Sequence, residues 1–333
     1  MSKTVKTNTT YKEVTDIVNE LHKHYGAGGL KQVYFTACGG SLGGVAPMHC
    51  IIESEAKSIQ ASIITANEFV HATPKQVDSN ALVVTMSSKG GTPETIAAAK
   101  RAKELGATVI TLSTNPHNSM EAAGDYHITY GFKDCPYSQT SNALIVWLGF
   151  EILKQFENYE HADKAESAFD ILDDICDKAF ADSAEPARDF AEHYKDEEQL
   201  YVVGSGNSSF VAYTTCICHL MEMEWIHSGY INAGELFHGP FEVAQPNVPF
   251  IVLMNGGPTR KMDERAVKFL KKYSNKVIVL DACEYGVERF DPAISEFFNS
   301  MILSVVARQY TETLGVAKKH PFGYRRYMFK VAY

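Results

Sequence analysis

The chain repeats itself at a shift of about 167 positions, and this internal duplication constrains its fold more than any other feature. The stretch Gln32–Gly44 resembles Leu200–Ala212, because each is an apolar, β-branched run followed by a glycine and then by a hydroxyl residue. At the same shift, Thr65–His71 resembles Asn232–His238. The agreement continues through two later apolar runs, which predicts two copies of one folding unit.

Each copy alternates short β-branched runs with helical stretches. This alternation predicts parallel strands covered by helices, so the fold class is α/β with two tandem, doubly wound, flavodoxin-like units. The 333 residues and their 45% apolar content are enough for two hydrophobic cores. We place an N-terminal helical segment at 1–30, the first unit at 31–160, a helical linker at 161–195 and the second unit at 196–333.

Charge and composition exclude several classes of function. The net charge of −9 repels phosphate backbones, so we expect no nucleic-acid partner. No apolar stretch reaches the length of a membrane span, and the N-terminus has no apolar signal core, so we predict a cytoplasmic protein without a membrane partner. The seven cysteines show no zinc-ligand spacing, and we expect reduced thiols and no metal site.

Glycine- and hydroxyl-rich loops follow two strands of the first unit. Cys38–Gly44 and Ser87–Thr95 both lead into helices, whose N-terminal N–H groups attract anions. Hydroxyl residues at such places often only cap the helix, and Thr92 has that alternative. Two such loops at one sheet edge favour phosphate binding, whereas the P-loop and dinucleotide-binding patterns are both missing. The predicted phosphate contacts are Gly39, Gly40, Ser41, Ser87, Ser88, Lys89 and Thr92.

The second unit carries two carboxylates inside an apolar helical stretch. Glu222 and Glu224 point to opposite sides of a helix, so we expect one to be solvated and the other held inside, where burial would raise its pKa. Sixteen residues after Glu222, His238 precedes a Gly-Pro break. Carboxylates and histidines are the usual groups of acid–base catalysis, but each alone is more often structural. We take Glu222 and His238 as the candidate catalytic pair.

These motifs resemble the SIS (sugar isomerase) domain, and the resemblance covers essentially Lys31–Tyr333. CGGS and SSKGGTPET are similar to its two phosphosugar loops. MEMEWIHSGYINAGELFHGPFE is similar to the isomerase half of glucosamine-6-phosphate synthase and to bacterial deglycases of 6-phosphorylated Amadori compounds. Two positions depart from the synthase pattern, which has lysine where this chain has His219 and serine where it has Lys89.

The resemblance implies a deglycase that releases glucose 6-phosphate and an amino acid from a fructosamine 6-phosphate without a cofactor. It implies that Glu222 and His238 are catalytic, and that the protein is a homodimer in which His238 contributes to the partner's site. An aldose–ketose phosphosugar isomerase and a non-catalytic phosphosugar-binding regulator are the alternatives. The pair Arg325 and Arg326 is a candidate substrate contact or a surface anchor of the C-terminal tail. The released amine stays open.

Overall fold

The computed structural model of the protein describes residues 8–131, 134–328 and 330–332. The first seven residues of the predicted N-terminal segment, and Phe329 and Tyr333 of the C-terminal tail, lie outside the described residues. The chain divides into two compact units, Met1–Asp173 and Asp174–Tyr333. This division falls within the predicted linker, inside the helix Ala162–Tyr194.

The first unit is a parallel sheet with helices on both faces. Its strands are β1 (Gln32–Ala37), β2 (Gln60–Thr65), β3 (Ala81–Met86), β4 (Thr108–Ser113) and β5 (Tyr126–Thr129). Its helices are α1 (Tyr11–Tyr25), α2 (Gly40–Glu55), α3 (Ala66–His71), α4 (Pro93–Glu104), α5 (Ser119–Ala123) and α6 (Ser141–Glu157), with a 3₁₀ turn at Tyr137–Gln139, and α7 (Ala162–Tyr194) continues into the second unit. Because helices cover both faces, every residue of β3 is buried.

The strand order of the first sheet is β2-β1-β3-β4-β5. The connection from β1 to β2 runs to one side of the sheet, and the connection from β3 to β4 runs to the other. Right-handed crossovers therefore place α2 and α4 on opposite faces. The direction changes between β1 and β3, and a doubly wound sheet opens a crevice at the carboxyl ends of the two strands at that point.

The second unit repeats this plan with a different helix after its first strand. Its strands are β6 (Gln199–Gly204), β7 (His227–Asn232), β8 (Phe250–Met254) and β9 (Val277–Asp281). Its helices are α8 (Ser209–Thr214), α9 (Arg260–Tyr273) and α10 (Asn299–Ala317), with 3₁₀ turns at Gly206–Ser208, Pro240–Val243, Val287–Arg289 and Ser295–Phe298. α8 runs on into a π-helical segment, Thr215–Met223, where the sequence predicts an ordinary α-helix.

The two sheets share one register, which confirms the predicted duplication and fold class. The second sheet has the order β7-β6-β8-β9, the counterpart of β2-β1-β3-β4. Gln32 is the partner of Gln60 in the first sheet, and Gln199 is the partner of His227 in the second. Both members of the second pair lie 167 positions after those of the first, so the sequence shift is also a structural one.

Three features bear on the classes of function. All seven cysteines lie in the described part of the chain, and none forms a disulfide. Within residues 8–131, 134–328 and 330–332, no helix combines the length and apolar character needed to cross a membrane. The same residues contain no group of three or more His, Cys, Asp or Glu side chains arranged to hold a metal ion.

Candidate active site

The two predicted phosphate loops lie side by side at the carboxyl edge of the first sheet. β1 and β3 are hydrogen-bonded neighbours, and their last residues, Ala37 and Met86, are partners. Gly39 precedes α2 with φ +55° and ψ −131°, a conformation that side chains with a Cβ rarely adopt. Apart from Gly39 and its chain neighbours, no atom of the described residues lies within 4 Å of the position that a Cβ would take there. A ligand can therefore approach the start of α2, where Gly40 is exposed and Ser41 half-buried.

Thr92 stands at the N-cap position of α4 but does not cap it with its side chain. Its Oγ1 lies 2.9 Å from Oγ of the buried Ser87, and its N–H donates to the same Oγ over 3.3 Å. The first N–H groups of a helix have no partner within the helix, so those of α4 stay available to an anion. This geometry favours phosphate binding by the loop over simple capping.

Ser88 and Lys89 form the turn between these two hydroxyl groups. The carbonyl of Ser88 accepts hydrogen bonds from both N–H and Oγ1 of Thr114, each of 2.8 Å. Tyr130 forms a hydrogen bond with Ser88. Burial raises the pKa of Tyr130 to about 12, although the hydrogen bond with Ser88 lowers this pKa. These contacts anchor the turn to its neighbours, while Lys89 is exposed at the rim of the loop.

The corresponding loops of the second unit are filled by their own side chains. Ser205 Oγ donates to Oγ1 of Thr259 over 2.9 Å, and Asn255 Nδ2 donates to Oδ2 of Asp263 over 2.6 Å. Thr259 also takes the space above Gly206, where a Cβ would stand 2.5 Å from its Oγ1. Burial raises the pKa of Asp263 to about 6, and once ionised this carboxylate repels an anion. The predicted phosphate loops of the first unit are therefore open at Gly39, whereas the corresponding loops of the second unit are filled.

Glu222 lies near the end of the π-helical segment, and such segments occur frequently at functional sites. Its Oε1 accepts a 2.7 Å hydrogen bond from Nε of Arg325. The two side chains are only 21% and 14% exposed, so the pair is largely shielded from water. Arg325 also donates to the carbonyls of Phe322 and Tyr324 within the tail, and its hydrogen bond to Glu222 holds the tail against this helix. Two of the predicted site residues thus meet here.

Glu224 is the carboxylate that is held inside. Its side chain is 2% exposed, and neither of its carboxylate oxygens has a hydrogen-bond partner among the described residues. Burial raises its pKa to about 7, although Lys318 and Arg325 pull it in the other direction. One of the two carboxylates is held inside, as predicted, and the structure identifies it as Glu224. The spacing alone did not reveal which of the two it would be. Glu222 is not solvated as expected, because it is only 21% exposed and is paired with Arg325.

His219 occupies the position where the synthase pattern has lysine. Burial lowers its pKa to about 3, and the charge of Arg308 acts in the same direction. Its Nδ1 lies 3.1 Å from Oγ1 of Thr311 on α10. A neutral imidazole therefore stands three residues before Glu222, and this position supplies no positive charge.

His238 and Glu222 lie on opposite faces of the second sheet. Glu222 belongs to the connection from β6 to β7, which packs against α10. His238 follows β7 and is exposed, and its neighbour Phe237 packs against Phe269 of α9 with 5.3 Å between ring centroids. Since α9 covers the face opposite to the π-helical segment, the sheet separates the two predicted catalytic residues. The second unit of one chain does not bring them together.

Arg326 turns away from Glu222 and lies over the indole of Trp225, with 4.0 Å from Cζ to the ring centroid. Trp225 has a positive φ of +57°, which is rare for a bulky side chain. Sequence reasoning missed Trp225 because a single tryptophan in an apolar stretch carries no pattern. Taken together, the first unit can hold an anion, and the second can offer a shielded carboxylate and an exposed imidazole for proton transfer.

Known proteins share this architecture. The sequence pattern of the SIS domain matches residues 30–131. The fructosamine deglycase FrlB of Bacillus subtilis (strain 168) is 37% identical over 305 residues, which cover 91% of this chain and 93% of FrlB. The chain therefore belongs to the family of SIS-domain proteins that includes the fructosamine deglycases, as the sequence motifs predict.

Two further relatives extend this finding. The fructoselysine 6-phosphate deglycase of Escherichia coli (strain K12) is 26% identical over 298 residues, which cover 90% of this chain and 85% of that enzyme. The crystal structure of a candidate phosphosugar isomerase of Salmonella typhimurium LT2 is 37% identical and superposes with a TM-score of 0.93, covering 97% of this chain and 99% of that one. The fold is thus shared along nearly the whole chain.

Proposed function

We propose that the protein is a deglycase that hydrolyses a 6-phosphorylated fructosamine to glucose 6-phosphate and a free amino acid. The observation that carries the proposal is the 37% identity to the fructosamine deglycase FrlB across 91% of the chain. The open loops of the first unit support it, because the 6-phosphate of such a substrate needs an anion cradle. The reaction consists of proton transfers and the addition of water, which acid–base groups can perform without a cofactor.

The first unit binds the sugar phosphate in this proposal. The phosphate binds at the start of α4, where the first N–H groups have no partner within the helix, and at the start of α2, where Gly39 lets the backbone come close. Lys89 adds a positive charge at the rim. The hydroxyl donors are Ser41, Ser87, Ser88 and Thr92.

The second unit supplies the proton transfers. His238 moves a proton at the ring oxygen, which opens the sugar and exposes the C2 carbonyl. Glu222 then takes a proton from C1 and leaves an enaminol, and protonation at C2 turns the enaminol into an imine between C1 and the amine. Water adds to C1, the C1–N bond breaks, and glucose 6-phosphate and the amino acid are released. Arg325 donates a hydrogen bond to Glu222 and holds its side chain in place between these steps.

Two chains share the work in this proposal. Because the second sheet stands between Glu222 and His238, the imidazole that acts beside Glu222 comes from a second copy of the protein. A homodimer with isologous contacts would complete two such sites at once. The partner in catalysis is therefore another chain of the same protein, and the substrate is a small phosphosugar.

An aldose–ketose isomerase is the second candidate, and the similarity to the candidate phosphosugar isomerase of Salmonella typhimurium LT2 favours it. It shares the proton transfer between C1 and C2, but it releases no amine. Equal amounts of glucose 6-phosphate and amino acid from a fructosamine 6-phosphate identify the deglycase. Conversion of fructose 6-phosphate identifies the isomerase, and a phosphosugar that binds but returns unchanged identifies a regulator.

Substitution of the two acid–base residues tests the assignment. We expect Glu222→Gln and His238→Ala each to lower kcat by about 10²–10⁴-fold. Glu235→Gln, which neutralises an exposed carboxylate on the same loop as His238, is the matched control and should retain activity. Co-purified mixtures of the two inactive variants should regain about a quarter of the wild-type rate if each site combines two chains. Full turnover by both single variants would show that the assignment is wrong.

A further inference from the structure

A side chain from outside the predicted phosphate loop Ser87–Thr95 lies against the backbone of this loop. Gly90 is buried in the middle of the loop and has a positive φ of +73°. A Cβ added to it would stand 2.2 Å from Cγ of Asn118 and 2.4 Å from both Nδ2 and Oδ1 of the same side chain. The amide group of Asn118 therefore occupies the space beside Gly90 that a Cβ would take.

Four hydrogen bonds fix the amide of Asn118 in this place. Its Oδ1 accepts from the N–H of Met120 over 2.8 Å and from the N–H of Glu121 over 3.1 Å. Its Nδ2 donates to Oγ of Ser113 over 2.7 Å and also to the carbonyl of Asn115. Both ends of the amide are used, so its orientation is defined. The phosphate loop therefore packs against a fixed group.

A chain of hydrogen bonds ties Asn118 to the last two strands of the first sheet. Oγ of Ser113, on β4, lies 3.1 Å from Nε2 of His127 on β5, and Nδ1 of the same ring lies 2.8 Å from Oγ1 of Thr111. Burial lowers the pKa of His127, so its ring is neutral near pH 7. A neutral imidazole donates at one nitrogen and accepts at the other, and it can thus join these two buried hydroxyl groups. The sheet itself sets the position of Asn118.

Capping of α5 explains only half of these contacts. An N-cap side chain supplies an acceptor for the first N–H groups of its helix, and Oδ1 of Asn118 does this. The donor Nδ2 and the packing against Gly90 have no part in capping. From the same segment after β4, Thr114 donates two hydrogen bonds to the carbonyl of Ser88. This segment therefore holds the phosphate loop at two places, Ser88 and Gly90.

We propose that Asn118 is a positioning residue of the phosphate site, whose amide fixes the turn at Gly90 so that the N–H groups after it face the 6-phosphate. The inference rests on the part of the proposed function in which this loop binds the phosphate of the sugar. Thr92 follows Gly90 by two residues and α4 begins at Pro93, so the direction of the chain at Gly90 determines where α4 starts. Because the phosphate takes no part in bond breaking, its binding stabilises the substrate complex and the transition state equally. Loss of Asn118 should therefore raise KM and leave kcat nearly unchanged.

Replacement of Asn118 by serine tests this role in the full-length protein. Serine keeps an oxygen that can cap α5, but it lacks the Nδ2 donor that ties the side chain to Ser113 and Asn115. We expect Asn118→Ser to raise KM for a fructosamine 6-phosphate about tenfold, with a change in kcat of less than about threefold. Thr10→Ala, which removes the N-cap side chain of α1, is the matched control and should lower Tm without changing KM. An unchanged KM in Asn118→Ser would show that Asn118 only caps its helix, and it would overturn the inference.

A double-mutant cycle tests the contact itself. Gly90→Ala places a methyl group against the fixed amide, in a backbone that already has φ +73°, and we expect it to raise KM. In an Asn118→Ala background no amide opposes this methyl group, and only the backbone strain remains. Gly90→Ala should there raise KM by a factor at least about threefold smaller. Equal factors in the two backgrounds would mean that the two residues do not interact, which contradicts the proposal.

Direct binding keeps this test separate from that of the proposed function. Titration calorimetry with glucose 6-phosphate reports on the phosphate loop without any hydrolysis. We expect Asn118→Ser to weaken this binding about tenfold and Thr10→Ala to leave it unchanged. If the affinities change in this way but the wild type hydrolyses no fructosamine 6-phosphate, the proposed reaction is refuted and the role of Asn118 stands. Equal affinities of the wild type and Asn118→Ser, or no binding by the wild type, would refute the positioning role.

Discussion

Replacing Glu224 by glutamine tests whether this carboxyl is held inside at a cost to stability. Burial raises its pKa from 4.5 to about 7 in the folded protein, whereas the unfolded chain keeps the ordinary value. The folded state therefore binds the proton more tightly, and stability falls as the pH rises from about 4.5 to about 7. Each pKa unit of difference between the folded and unfolded states corresponds to about 1.36 kcal/mol. At pH values above about 7, where the carboxyl is ionised in both states, it therefore lowers the free energy of unfolding by about 3 kcal/mol.

Glutamine has a similar shape and carries no charge, so the variant loses this dependence on pH. We expect its stability relative to the wild type to rise by about 3 kcal/mol between pH 4 and pH 8. Urea unfolding followed by Trp225 fluorescence, in the Trp147→Phe background, measures this in the second unit. Glu198→Gln, at an exposed carboxyl before β6, is the control and should show no such rise. A difference in stability that is the same at both pH values would refute the reasoning.

Two further predictions concern the phosphate loops. Thr92→Val removes a hydroxyl that does not cap α4, so we expect Tm to change by less than about 2 °C, while KM for the phosphosugar rises about tenfold. A fall in stability with an unchanged KM would instead indicate a capping role. Gly39→Ala forces a Cβ into a backbone with φ +55°, and we expect the unfolding free energy to fall by about 1–3 kcal/mol. Urea unfolding measures this loss. An unchanged free energy of unfolding in Gly39→Ala would show that the backbone at this position is not strained for a residue with a Cβ.

The division into two similar α/β units could be predicted from the sequence because the duplication preserves the backbone conformation that each loop requires. Gly39 and Gly206 stand at corresponding positions after β1 and β6, and both have a positive φ, of +55° and +51°. A glycine at each place is therefore required by conformation, which is why the pattern survives in both copies. Because the strands recur at the same spacing in both copies, their pairing recurs as well. The fold was therefore easier to predict from the sequence than the contacts of the candidate site.

The filling of the second cradle could not be predicted in the same way. The sequence shows that the loops of the second unit have fewer hydroxyl residues, but it does not show that Thr259 and Asp263 turn inward. These two residues lie more than fifty positions after Gly206 and Ser205. Their contacts depend on how β6 and β8 pair, so only the folded unit reveals that the anion site is occupied by its own side chains.

The choice between Glu222 and Glu224 also depends on distant residues. Glu224 is enclosed by α10, where a Cβ added at Gly315 would stand 2.4 Å from its Oε1. Gly315 lies about ninety positions later in the chain, and no local pattern links the two. The π-helical turns change the directions of these side chains as well, and the apolar spacing of Thr215–Met223 does not distinguish them from an α-helix.

The duplicated units have diverged in a way that bears on how many chains catalysis needs. An open cradle in the first unit and a self-filled one in the second allow one phosphate per chain. The second unit holds Glu222 on one face of its sheet and His238 on the other. In the proposed reaction Glu222 acts at C1 and His238 at the ring oxygen of the same sugar, and one small sugar cannot contact both faces of a sheet that is covered by helices. If both residues serve one reaction, two copies must meet, and a mixture of Glu222→Gln and His238→Ala chains is the direct test of that step.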